Sequence, residues 1–257
     1  MAPRKITHRI LIATLLAACA HAMPAASNTA YQSIPFFQNW SNTALLSTSD
    51  NWNNVPGIVG YLGENPIEST PGRLPRTITA DSTSAPDLIP NQGDPSGIII
   101  GGVAECQLTD PVVALQASAT ADHPYLVIHL NTTGIPAPLV FQCRLRDLDG
   151  SLDNTQQPIQ VQYRTQASGS WTNAVGGDFF DVTHGPGLNT LQTMVSIVLP
   201  GVVGNRPQLQ VRIMTANAVG NDEWVGIDDI YVTVATSGVP APGSLEPTTW
   251  SRIKNLR

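Results

Sequence analysis

"NDEWVGIDDIYVTV", residues 221–234, sets a run of branched apolar residues behind four carboxylates at positions 222, 223, 228 and 229. If Ile230, Val232 and Val234 face a core, a strict two-residue period also turns Asp228 inward and leaves Val225 and Ile227 outside. A bulge or bend near residues 226–229 resolves the conflict, because an extra residue re-aims the side chains around it and lets Ile227 and Ile230 bury together. Either way Asp228 or Asp229 approaches the apolar layer. An isolated carboxylate there costs more than folding supplies, so it needs a cation, an arginine or several backbone N–H donors.

The same two-residue period runs through the second half of the chain. Ile159, Val161 and Tyr163 alternate with Gln160, Gln162 and Arg164, and Leu209, Val211 and Ile213 with Gln208, Gln210 and Arg212, the pattern of half-buried antiparallel strands. Shorter runs of strand character lie at 77–79, 98–108, 112–117, 125–130, 139–145, 179–182, 194–199 and 226–234. Between them "NTTGIPAP", "DLDGSLDN", "THGPGLN" and "PGVVGNRP" carry the glycine and proline of tight reversals. No segment shows the apolar repeat of an amphipathic helix. Short strands divided by such turns predict an all-β fold, a two-sheet antiparallel β-sandwich of jelly-roll type.

The chain opens with Arg4, Lys5 and Arg9, an apolar run over 10–18 and then small residues, which is the order of a secretory signal too short to span a bilayer. Two processing readings stand: Ala20-His21-Ala22 as a cleavage site, or Leu16-Ala17-Ala18-Cys19 as a bacterial lipobox with Cys19 lipidated. The expected organisation is a signal peptide over 1–26, a sandwich domain over 27–236 and a proline- and glycine-spaced tail over 237–257, in a secreted or cell-surface protein. The tail ends in "WSRIKNLR", a short basic cluster after a Trp.

Residues 30–240 hold seven arginines, no lysine and eighteen acids, a formal charge of about −11. Such a surface repels phosphate backbones, so nucleic acid is not an expected partner of this domain alone. It suits cations. Hard oxygen ligands point to Ca²⁺, and the candidate metal ligands fall in two clusters: Asp222, Glu223, Asp228 and Asp229, and the loop with Asp147, Asp149 and Asp153. Cys106 and Cys143 sit on apolar-parity positions of their runs and are expected to face one interior, where an oxidising compartment would let them pair or leave them as buried thiols. Closing that loop would stabilise the fold by about 4 kcal/mol in the chain-entropy picture.

The region from 31 to 65 is rich in aromatics among Asn, Ser and Gly. Trp40 and Trp52 there read either as core anchors beneath long loops or as an exposed platform for stacking on sugar rings. His123, His129 and His184 belong to no zinc spacing, and His129 and His184 read as surface residues; no nucleophile elbow or phosphate-binding glycine loop occurs. No catalytic constellation is present in the sequence, and the protein is not expected to be an enzyme.

"GIDDI" near the end of the sandwich resembles the last-strand signature of MAM-type and related jelly-roll domains. "LRDLDGSLDNTQQPIQVQYR" with "VRIMTANAVGNDEWVGIDDIYV" is similar to β-sandwich domains of secreted bacterial proteins, some of which precede extracellular nuclease or phosphoesterase domains. The resemblance spans roughly residues 31–235 and implies a scaffold in which the paired aspartates support a metal or a hydrogen-bond site. The resulting expectation is a non-catalytic binding or adhesion module, with a glycan or a surface protein as ligand. Alternatives are a structural accessory domain and a metal-dependent hydrolase using the acidic loops.

Overall fold

The computed structural model describes residues 26–235 apart from 64–69, 82–84, 137, 149–154 and 185–190. The expected signal segment up to residue 25, with Cys19, and the tail over 237–257 lie outside the described residues, as do Asp149 and Asp153.

Among the described residues fifteen strands follow in chain order: β1 Ala26–Ser27, β2 Gln32–Ser33, β3 Phe36–Gln38, β4 Asn51–Trp52, β5 Ile58–Tyr61, β6 Ile89–Gln92, β7 Gly102–Cys106, β8 Val112–Gln116, β9 Tyr125–Asn131, β10 Leu139–Asp147, β11 Ile159–Arg164, β12 Thr172–Phe179, β13 Gln192–Leu199, β14 Leu209–Met214 and β15 Val225–Val234. The first main sheet runs β13-β10-β15-β8-β7-β6, with β3 also on β15. The second runs β12-β11-β14-β9, and β9 pairs further with β2 and β5. Pairing is antiparallel except at β6/β7, β2/β9 and the small β1/β4 ribbon. The fold is therefore an all-β, two-sheet sandwich.

Inward positions of the alternating strands meet between the sheets. Phe141, Cys143 and Leu145 of β10 and Val225, Ile227, Ile230 and Val232 of β15 pack against the layer of Leu126, Ile128, Val161, Val211 and Ile213. The parity conflict in β15 is resolved by a bulge: Gln142 pairs with Tyr231 and Arg144 with Asp228, so two residues of β15 oppose one of β10. Asp229 takes the left-handed conformation there, with φ +48, a region that aspartate tolerates better than branched residues do. Ile227 and Ile230 consequently both reach the core.

Both sheets are covered on their outer faces as well. Over the first sheet, Ile98 packs on Ala104, Cys106, Val112, Ala114, Leu148 and Trp224, and the Trp224 indole N–H donates to the Ile98 carbonyl at 3.2 Å. Over the second, residues 70–81 form a strap. Gln162 Nε2 and Arg212 Nη2 donate to the Ile78 carbonyl at 3.1 and 2.7 Å, and Trp171 N–H donates to the Thr79 carbonyl at 2.8 Å. The expected strand at 77–79 is thus a correction: Pro75–Thr77 is a 3₁₀ turn. Side-chain donors of Gln162 and Arg212 and the Trp171 backbone N–H satisfy the strap's carbonyls, so it needs no strand partner.

Two readings left open by the sequence are decided, and the expectation that both cysteines face one interior is corrected. Cys106 and Cys143 are both free and buried. Cys143 lies in the central core and Cys106 in the outer cluster, on opposite faces of the first sheet. Their strands β10 and β7 are separated by β15 and β8, roughly 14 Å at ordinary strand spacing, beyond the reach of a disulfide. Trp40 and Trp52 are 1% and 0% exposed. Their indole N–H groups donate inward, to the Ile227 carbonyl at 2.8 Å and the Asp87 carbonyl at 3.0 Å. They are core anchors, and no sugar can stack on them.

Candidate functional site

The acidic residues near β15 fall into separate structural roles. Asp228 lies on the outer side of the first sheet beside Arg144 and Arg146 of β10, which alternate outward from Cys143 and Leu145. Arg144 Nη2 donates to Asp228 Oδ2 at 2.5 Å and stands 3.1 Å from Asp229 Oδ2, while Arg146 Nη1 is 3.2 Å from Asp228 Oδ2. Asp110 approaches Arg144 at 2.8 Å from the solvent side. The countercharge required by the buried aspartates is therefore supplied by arginine. Burial first, then Asp229, pushes the Asp228 carboxyl up to about 6 in spite of Arg144.

Asp222 and Glu223 hold a different loop. Asp222 Oδ1 accepts from Ala218 N–H at 2.7 Å, and Glu223 Oε1 accepts from Thr155 N–H at 2.8 Å. Asp147 is buried at the end of β10, its N–H donating to the Leu191 carbonyl. Among the described residues no group of three or more His, Cys, Asp or Glu side chains is arranged to hold a metal ion.

The outer face of the second sheet builds a different kind of site. Three cross-strand rows form it, because antiparallel pairing sets outward side chains of neighbouring strands side by side. Arg164, Gln210 and His129 make one row, Gln162, Arg212 and Val127 the next, and Gln160, Met214, Tyr125 and Tyr61 the third. The strap covers the middle of this face. Beside it a groove of about 450 Å³ stays open, its lining including Tyr31, Tyr61, Asp81, His129, Arg164 and Trp171.

Its polar groups form a chain. Asp81 accepts from the Trp171 indole at 2.8 Å through Oδ1 and from Arg164 Nη1 at 2.6 Å through Oδ2. Arg164 Nε donates to Gln210 Oε1 at 2.5 Å, and Gln210 Nε2 donates to the Tyr31 hydroxyl at 3.2 Å. The Tyr31 phenol thus accepts within the protein and keeps its own proton for a ligand. His129 Nδ1 faces the Gly57 carbonyl at 3.2 Å. A carbonyl only accepts, so Nδ1 carries the hydrogen and Nε2 is left as an acceptor. Burial pushes the His129 imidazole down to about 4, and burial with Tyr125 pushes the Tyr61 phenol up to about 12. Both are neutral at physiological pH.

Aromatic rings surround this chain. Tyr61 and Tyr125 stack at 5.0 Å, and Tyr31 meets His129 edge-on at 5.4 Å. The Arg164 guanidinium lies 4.2 Å from the Trp171 ring centroid; that of Arg212 lies 4.5 Å from Trp171 and 5.2 Å from Tyr125. Charge and quadrupole favour both placements.

His129, expected at the surface, is 4% exposed, buried because the outward face of β9 is itself covered; His123 is buried to the same degree. His184 is exposed as expected. Tyr31, Tyr61, Asp81, Tyr125, Arg164 and Trp171 were not singled out as ligand residues by sequence. A usable signal existed: outward positions of β9, β11 and β14 hold Tyr, His, Gln and Arg with no Lys, Glu or Asp, the composition of a covered polar face rather than a solvated one.

No family model and no curated protein sequence matches the chain. Solved structures do show likeness. A CBM61 module in complex with β-1,4-galactotriose is 8% identical, covering 51% of this chain and 75% of its own, with a TM-score of 0.31. The K3 cleaved adhesin domain of Lys-gingipain from Porphyromonas gingivalis is 13% identical over 49% of this chain and 75% of its own, at 0.38. CBM28, a module specific for non-crystalline cellulose, is 14% identical over 56% of this chain and 99% of its own, at 0.35. At such identities and TM-scores these likenesses assign no function, which rests on the groove itself.

Proposed function

We propose that the protein is an exported, non-catalytic sandwich that binds a glycan in the groove on the outer face of its second sheet. The observation that carries this reading is the pairing of aromatic rings with a pre-bonded polar chain along one open groove. Sugar rings present apolar C–H faces and hydroxyls that both donate and accept. The Tyr31 hydroxyl supplies a donor, His129 Nε2 an acceptor, and the tyrosine rings an apolar wall. Because Gln210, Arg164 and Asp81 already hold one another, little side-chain entropy remains to be lost on binding. Among the described residues Asp81 is the one carboxylate in the lining, short of the six to eight oxygens that Ca²⁺ takes.

Glycan-array screening of the purified protein followed by calorimetry tests the reading. Tyr31→Ala and Tyr61→Ala should each weaken binding roughly tenfold, about 1.4 kcal/mol, and Tyr31→Ala should leave the melting temperature close to that of the parent. Binding that survives the two substitutions together would place the ligand elsewhere on the molecule.

A further inference from the structure

The groove's charge runs against that of the protein around it. The chain carries a formal net charge of −6, yet among the described residues two guanidiniums meet a single carboxylate at this site. Asp81 pairs with Arg164 at 2.6 Å. Arg212, fully buried in the middle row behind Trp171 and Tyr125, has no carboxylate within salt-bridge distance among the described residues. Its donors are taken up by the neutral oxygens of Gln162, Ile78 and Ala80.

Burial pushes the Arg212 guanidinium down to about 10, which leaves it charged at any physiological pH. Neutral hydrogen-bond partners and aromatic faces solvate a cation without cancelling it, so its field extends into the groove. At the groove wall, Arg164 spends Nε on Gln210 and Nη1 on Asp81 and the Gly169 carbonyl. Its Nη2 has no hydrogen-bond partner among the described residues and remains for a ligand. A site with one uncompensated positive charge, one spare guanidinium N–H and a neutral acceptor in His129 distinguishes ligands by charge as well as shape.

Resting on the glycan reading above, we infer that the groove selects a glycan bearing a negative substituent, a uronate carboxylate or a sulfate ester, over its neutral counterpart. Polyphosphate chains are a poorer match. They draw affinity from many cationic contacts, and the groove offers a single excess charge on a strongly acidic body.

Calorimetry with the full-length purified protein tests this, using an oligogalacturonate, the same oligosaccharide as its methyl ester, a sulfated galactan oligosaccharide and an unsubstituted galactan. The anionic ligand should bind about tenfold more tightly than its neutral counterpart at about 20 mM NaCl, and the advantage should shrink at about 300 mM as ions screen the field. Oligogalacturonate and sulfated galactan identify which substituent is the natural one. Asp81→Asn, at a side chain open to solvent, keeps an acceptor for the Trp171 indole and removes the compensating charge. It should widen the anionic preference severalfold, a readout independent of whether substitutions at buried Arg212 fold. Equal affinity for the acid and its methyl ester, unchanged in Asp81→Asn, would overturn the charge inference while leaving glycan binding intact. Tighter binding of a single-stranded oligonucleotide than of any anionic sugar would also overturn it. Failure of every glycan, neutral or charged, would overturn the glycan reading itself.

Discussion

Arg144 meets three carboxylates in the first sheet, Asp228 at 2.5 Å, Asp110 at 2.8 Å and Asp229 at 3.1 Å. Asp228 is fully buried, so removing a partner leaves a desolvated charge rather than a solvated one. Arg144→Met should cost about 3 kcal/mol in urea unfolding. A loss below about 1 kcal/mol would mean that Arg146 and backbone donors suffice. His129 supplies a second residue-scale expectation. Its folded-state value, pushed down to about 4 by burial, makes its contribution to stability complete above about 6.5 and lost as pH falls toward about 4, up to about 3 kcal/mol. Asp222 and Asp228, both pushed up to about 6 chiefly by burial, act in the opposite sense: their contribution is complete below about 4 and lost as pH rises through about 6. Replacing His129 by Gln isolates the first effect. Its melting temperature should fall less than the parent's between about pH 7 and pH 4.5, and parallel pH profiles would sink the assignment.

At the scale of elements, β5 shows how closely the core anchors fit. A Cβ added at Gly60 would overlap the Trp52 indole and press on Val103. Gly60→Ala should therefore cost about 1–3 kcal/mol, a drop of several degrees in melting temperature. An unshifted transition would show that Trp52 can yield. Element by element, the legibility of the sequence followed local pattern. β9, β10, β11 and β14 are readable because each alternates cleanly over six or more residues, and β15 with its bulge is readable because an apolar run breaks parity at Asp228. β12 was not: Thr172–Phe179 contains Gly176 and Gly177 and buries little, so it lacks the period that marks a strand, and only its end was anticipated. The 77–79 stretch failed for the converse reason. Three residues of strand composition do not determine conformation, and the carbonyls at Ile78 and Thr79 are satisfied by Gln162, Arg212 and Trp171.

For the whole molecule, three apolar layers matter rather than one: a central core between the sheets and a smaller apolar cluster on the outer face of each. One consequence is chemical. Cys106, its thiol pushed up to about 12 by burial, and Cys143, raised further still by burial, should both resist thiol-reactive dyes in the native protein and react after unfolding. Reducing agent should leave the melting curve unchanged; an intact mass lacking a hydrogen pair at these cysteines would contradict the layer assignment. The other consequence concerns the candidate site. Its pieces come from Tyr31, Tyr61, Asp81, His129, Arg164 and Trp171, spread over some 140 positions of the chain, and no local motif joins them. By itself the sequence determined the all-β class, the inward parity of the long strands and the need of Asp228 or Asp229 for a cation, an arginine or backbone donors, because each depends on neighbours a few residues away. Tertiary structure alone decided that arginine answers that need, that Trp40 and Trp52 are core, that the cysteines lie on opposite faces, and that a strap leaves one aromatic groove open. Each of those outcomes is a contact between distant segments, and side-chain alternation records which residues share a face without recording what comes to cover it.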